Sequence, residues 1–106
     1  MHRLIEKKVV DIPENEPVIA YKKLTEDMCS PYRKHKYEIG QTYHSNCLRG
    51  NYLIEGFFTM HESEIDSWNG DRLFEVAIWG KVLFINKRNI ESEYMKILKE
   101  IPFPKS

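Results

Sequence analysis

Cysteine occurs twice in 106 residues, at Cys29 and Cys47. Two are too few for a disulfide framework, so both are expected as free thiols in a reducing compartment. No apolar run approaches the roughly 20 residues needed to span a bilayer. The opening Met1-His2-Arg3-Leu4-Ile5-Glu6-Lys7-Lys8 lacks the apolar stretch of a signal peptide. The expectation is a soluble cytoplasmic protein with no membrane partner. Neither charge is in surplus: sixteen Lys plus Arg stand against sixteen Asp plus Glu. A neutral balance argues against gripping long duplex nucleic acid, which takes an excess of cations facing phosphates, but it leaves room for a local patch. No Gly-x-Ser-x-Gly elbow, phosphate-binding Gly-rich loop or His-Glu-x-x-His helix is present. No catalytic residue is therefore assigned and no cofactor is implied. The length suits one domain over residues 1–106, with a single core.

What the chain does contain is a series of short apolar segments. Val9, Val10 and Ile12 favour a strand, although Leu4 to Lys8 would also fit a helical turn. Pro13-Glu14-Asn15-Glu16-Pro17 reads as a turn, because proline fixes φ and removes a donor. Pro17 to Leu24 reads as a strand and Thr25 to Lys36 as a loop. Tyr37 to His44 predicts a short strand whose Gly40 marks a bulge or a turn at its start. Asn46 to Asn51 predicts another loop. Strand-like segments follow on either side of Gly56, then a short helix over Glu62 to Trp68, begun near His61 or Ser63 and ended by Asn69-Gly70.

Leu73 to Trp79 is apolar on both faces, so it belongs at the centre of a sheet. Gly80-Lys81 interrupts it, and Val82 to Ile85 continues as a strand or hairpin arm. Ile90, Tyr94, Ile97, Leu98 and Ile101 recur at helical spacing after an Asn89 cap. Acidic residues lie early and lysines late, as a helix dipole favours. The predicted fold class is therefore α+β: a mostly antiparallel sheet, one short internal helix and a C-terminal amphipathic helix.

Three constellations carry possible chemistry. His44-Ser45-Asn46-Cys47 is a His-x-x-Cys step, and Cys29, His35 and His61 would supply further zinc ligands. The plainer account is a buried free Cys47 beside a surface histidine. Nucleophilic catalysis would need Cys29 or Cys47 next to a base; His44 is near Cys47 in sequence, but on a strand-to-loop segment their side chains need not meet. Arg33-Lys34-His35-Lys36 is a local basic run bracketed by Tyr32 and Tyr37, a pattern that can hold phosphates or an acidic protein face. A solvated loop is the plainer account. Tyr43 and Tyr52 lie at loop edges, where tyrosine suits recognition. The candidate binding residues are Tyr32, Arg33, Lys34, Lys36, Tyr37, Tyr43, Tyr52 and Glu75.

Tyr21-Lys22, Ser30-Pro31-Tyr32, Tyr37-Glu38-Ile39-Gly40-Gln41-Thr42-Tyr43, Gly56-Phe57-Phe58 and Phe74-Glu75-Val76-Ala77-Ile78-Trp79-Gly80-Lys81-Val82 occur in an order that resembles a family of small uncharacterised domains of bacteriophages and large viruses. The resemblance covers roughly residues 18–84. It departs at Phe58-Thr59-Met60, where relatives tend to carry His-Phe-Cys. It implies a viral origin and a shared fold, and it carries no activity. The Gly-aromatic strand, short helix and valine-rich strand are also similar in architecture to the core of ADP-ribosyltransferase-like domains. There, such elements build an NAD pocket, with an Arg or His usual on the first strand; this chain departs in offering Tyr21 there, and Glu75 would supply the acid if it faced a cleft. The leading expectation is a small phage protein, acting in the host cytoplasm, that binds a host protein such as a defence component. The alternative is a nucleotide-pocket domain, enzymatic or ligand-sequestering.

Overall fold

The computed structural model describes residues 8–30, 36–45, 47–49, 52–55, 57–67, 70–84, 87 and 89–103. Among the described residues eight strands follow in order: β1 Lys8–Ile12, β2 Val18–Leu24, β3 Thr42–His44, β4 Cys47–Arg49, β5 Tyr52–Glu55, β6 Phe57–Thr59, β7 Arg72–Phe84 and β8 Ile90–Ile101. A 3-10 segment, Glu62–Ser67, lies between β6 and β7. The fold is all-β: an antiparallel sheet curled into a half-barrel, with no helix of seven or more residues among the described residues.

β7 and β8 form the spine, paired from Leu73 opposite Ile101 to Phe84 opposite Ile90. Each long strand offers its second edge to two short ones. β2 pairs with the first half of β7 and β1 with the second. β6 pairs with the start of β8 and β3 with its middle. β4 and β5 make a separate two-stranded sheet. Reciprocal 2.9 Å backbone hydrogen bonds between Tyr21 and Met60 join β2 to the residue after β6. The curl is thereby stitched together across its open side.

Sequence pattern decides which face is buried. Phe74, Val76 and Ile78 of β7, Ala20 and Leu24 of β2, and Met95 and Ile97 of β8 pack together with Tyr37, Val82 and Ile90. The side carrying this cluster is termed the inner face below. Full burial of each Phe, Leu, Ile, Val or Met side chain among them contributes roughly 1.5–3 kcal/mol. On the opposite, outer face a smaller cluster forms from Met60, Ile65 and Leu73, with Tyr21 and Ile101 against it. The double burial explains why β7 is apolar on both sides and why it occupies the sheet's centre.

The expected C-terminal helix is a strand. Its five apolar residues do not share a face: Ile97 is in the inner core, Tyr94 lies opposite Trp79 on the outer side, and Ile101 packs in the second cluster. Glu75 pairs with Lys99 and Val76 with Ile97, so Leu98 is an extra residue in β8. A bulge of this kind reverses the alternation of side chains. It breaks the period of two and leaves an apolar spacing that imitates a helix. Thirteen residues of β7 without a partner on that edge would leave a ladder of unpaired amides, and β8 satisfies them.

The short internal helix is also corrected. Glu62–Ser67 is a 3-10 segment broken at Glu64 (φ −113°, ψ 18°), held by Ile65 in the second cluster. So short a run closes tighter i to i+3 bonds in place of an α-helix. Of the segment predicted as a strand over 37–44, only Thr42–His44 is one. Glu38 to Gln41 form a turn, closed by the Gln41 N–H donating to the Glu38 carbonyl at 3.3 Å, with Gly40 at φ +85°. Cys47–Arg49, expected as loop, is β4. β2, β5, β6 and the Pro13–Pro17 turn lie where the sequence places them, and of the ambiguous segment before that turn Lys8–Ile12 is strand.

Candidate functional site

Arg33, Lys34 and Tyr32 of the basic run lie outside the described residues, but both ends of their loop are described. Residues Cys29 and Lys36 form an antiparallel bridge, and the Tyr37 N–H donates to the Met28 carbonyl at 2.9 Å. Below this, the Thr25 N–H donates to the Cys29 carbonyl, and the Cys29 N–H donates back to the Thr25 hydroxyl. Met28 turns the chain at φ +67°. The Thr25 hydroxyl beside Asp27 holds that carboxyl below its usual range, with a backbone hydrogen bond next and the charge of Lys36 a smaller contribution. At the base, Asp71 accepts from the Glu26 N–H, and Arg72 donates to the Glu26 carbonyl at 3.1 Å. The stem of the loop is thus tied to β7 by several independent bonds.

Lys36 is exposed at the loop's end, whereas Tyr37 is an anchor, 5% exposed in the inner core. Its ring meets Tyr43 edge-on at 4.9 Å and Phe57 at 6.3 Å, and the Lys22 ammonium lies 5.6 Å from its centroid. Tyr43 is half-buried, and its hydroxyl accepts the Glu38 N–H at 2.7 Å, so it braces the turn that leads into β3. Tyr52 lies in β5, with its side chain outside the description. Glu75 lies directly across from Tyr21, on the outer face, with its carboxylate 3.8 Å from the Lys99 ammonium. Among the described residues, the candidates Lys36, Tyr37, Tyr43 and Glu75 therefore do not converge on one site. Tyr37 and Tyr43 meet within the core, Glu75 is on the other side of the sheet, and Lys36 remains with the loop.

A group of side chains that sequence reasoning missed lies on the outer face where β7, β8 and β3 run side by side. Trp79 is opposite Tyr94, and Tyr94 is opposite His44. Their rings stack in a row, with Trp79 and Tyr94 centroids 5.5 Å apart and Tyr94 and His44 centroids 4.3 Å apart. Beside the row, Glu93 accepts the Lys81 N–H at 3.0 Å and lies 3.2 Å from His44 Nε2. The adjacent row is Ile19, Ala77, Lys96 and Thr42. Reading Tyr94 as helical hid this arrangement, because the three rings come together only through strand register.

Of the proposed zinc ligands, the described His44, His61 and Cys29 do not gather. His44 bonds to Glu93, His61 Nδ1 bonds to Ser63, and Cys29 is a half-buried free thiol. His35 and the Cys47 side chain fall outside the description. Among the described residues no three metal-binding side chains converge, and no helix is long and apolar enough to cross a membrane. No family model, curated protein or solved structure matches the chain.

Proposed function

We propose that this chain is a small viral protein, of bacteriophage type, that works by binding a host protein such as a defence component. The observation that carries this reading is the braced stem under the basic loop. Tyr37 in the core, the Cys29–Lys36 bridge and the Arg72 tie hold Cys29 and Lys36, the described ends of the segment that contains Arg33-Lys34-His35, against a fixed sheet. Loops held by a rigid scaffold are common recognition elements, and a fixed stem lowers the ordering cost of binding. A nucleotide pocket with an ADP-ribosyltransferase-like core is less well supported. Glu75 lies on the face opposite the filled interior, paired with Lys99, and Tyr21 beside it packs into the second cluster.

The test is an affinity pull-down from host lysate, with mass analysis of proteins and small molecules that co-purify. Replacing Arg33, Lys34 and Lys36 together with alanine should leave the fold intact, because the described ties of the stem run through backbone groups and the side chains of Thr25, Asp71 and Arg72, and an exposed charge such as Lys36 contributes little stability. The same variant should bind the captured protein more weakly, with the deficit shrinking as salt rises. Equal affinity for parent and variant at low salt would reduce the run to a solvated loop. A co-purifying nucleotide, lost on Glu75→Gln, would favour the pocket.

A further inference from the structure

The outer edge of β3 carries three independent features that point to one kind of partner. First, its backbone groups face outward in a defined pattern. The Ile97 N–H donates to the Gln41 carbonyl, and the Ser45 N–H donates to the Glu93 carbonyl at 2.8 Å. In an antiparallel ladder the groups of alternate residues point to alternate sides. Gln41, Tyr43 and Ser45 therefore face β8, and the N–H and C=O groups of Thr42 and His44 face away. Among the described residues no strand pairs with that edge. Second, the Trp79–Tyr94–His44 stack ends there, with the His44 side chain 38% exposed. Third, Lys96 is half-buried and has no ion pair among the described residues, whereas Lys81, Lys99 and Arg72 each face a carboxylate.

We propose that the β3 edge takes up an extended segment of a partner protein as an added antiparallel strand, and that this segment carries an aromatic residue followed two positions later by an acidic one. Addition of a strand satisfies outward-facing amides. Register then fixes the side chains. A residue opposite His44 on the outer face continues the ring stack. Running antiparallel, the segment places its second-next residue opposite Thr42. That residue lies about 10 Å from Lys96, two inter-strand spacings of about 4.8 Å each. Thr42 between them is short, so the lysine reaches over it to a carboxylate. The inference rests on the reading that the chain acts by binding a protein, and it names where and what.

The probe is the peptide acetyl-Thr-Phe-Val-Glu-Val-Thr-amide, titrated into the whole protein and followed by amide NMR. The control peptide exchanges Phe and Glu, which suits only a parallel addition. Binding should slow hydrogen exchange at the Thr42 and His44 amides and leave the already bonded Ser45 amide unchanged. Lys96→Gln should weaken the forward peptide about threefold, as for a partly exposed ion pair, and should leave the control unaffected. Thr42→Pro should abolish protection while removing no bond to β8. Absence of protection at millimolar peptide, or equal binding of the two peptides, would overturn the proposal. So would a host target from lysate whose affinity is unmoved by Thr42→Pro and Lys96→Gln, an outcome that leaves the binding reading itself intact.

Discussion

Replacing Gly80 by alanine tests whether β7 turns through its bulge as described. Gly80 has φ +78°, and with Lys81 it stands opposite the region of Glu93, between the pairs Trp79–Tyr94 and Val82–Ser92. A Cβ there would lie 2.7 Å from Glu93 Oε1 and 2.7 Å from Tyr94 Cδ2. The left-handed backbone alone costs an L-residue roughly 1–2 kcal/mol. Displacing Glu93 loses its bond from the Lys81 N–H, about 1 kcal/mol, and shifting Tyr94 disturbs a ring stack of about 0.5–1.5 kcal/mol. The expected total is about 3 kcal/mol, or a fall of about 1.5 M in urea midpoint for a slope near 2 kcal/mol/M. Gly40→Ala is the internal control. It has the same sign of φ, +85°, but nothing lies within 4 Å of the added carbon. It should cost only the backbone contribution, about 1 kcal/mol. Equal losses in the two variants would refute the packing around Gly80, and a loss under about 0.5 kcal/mol at Gly80 would refute the bulge itself.

Ser92 is fully buried, and its hydroxyl has no partner among the described residues; Ser92→Ala should therefore raise stability by about 1 kcal/mol, read from urea unfolding. Ile97→Ala should cost about 2–4 kcal/mol and Leu98→Ala under about half as much, since Ile97 is fully buried and Leu98 only partly; similar large losses at both would return these residues to one helical face. The hydrogen bond from Arg72 holds the Glu100 carboxyl below its usual range, so that contribution is full at neutral pH and is lost as the pH falls through the lowered value. Acid titration of the unfolding midpoint should accordingly flatten below about pH 4 in Glu100→Gln, and an unchanged profile would remove the pair from the acid response.

The two central segments were not equally legible. β7 could be read directly, because Phe74, Val76 and Ile78 alternate with Leu73, Ala77 and Trp79 and both sets are buried. β8 could not, because the extra Leu98 moves Ile101 to the face opposite Ile97, and period-two counting fails across that step. The early glutamates and late lysines that suggested a helix dipole have other partners: Glu93 meets the Lys81 N–H and Lys99 meets Glu75. Gly40 was read as a turn or a bulge, and the turn is what forms. Among candidate site residues, Tyr37 was read as bracketing the basic run, but its neighbours Tyr43 and Phe57 draw it inward. Burial of this kind depends on contacts between distant segments, which no local pattern encodes. The His44 row was hidden for the same reason, since it exists only once β3, β8 and β7 are in register.

The pairing of β1 with the second half of β7, Lys8 opposite Phe84, sets an order of assembly. Both N-terminal strands bond to a segment synthesised after most of the chain, and β2 is held on its other edge by the Tyr21–Met60 bridge. The β7–β8 hairpin closes over a short loop, whereas β1 and β2 must wait for β7 to be made. Non-local pairing of this kind slows folding, because loop closure must be accomplished before contacts reward it. Until then Val9, Val10, Val18 and Ile19 form apolar stretches with unpaired backbone, open to association with neighbouring chains. The Tyr21–Met60 bond pair joins β2 to the residue after β6, and the amides of those two residues should report the closing of the sheet in hydrogen exchange.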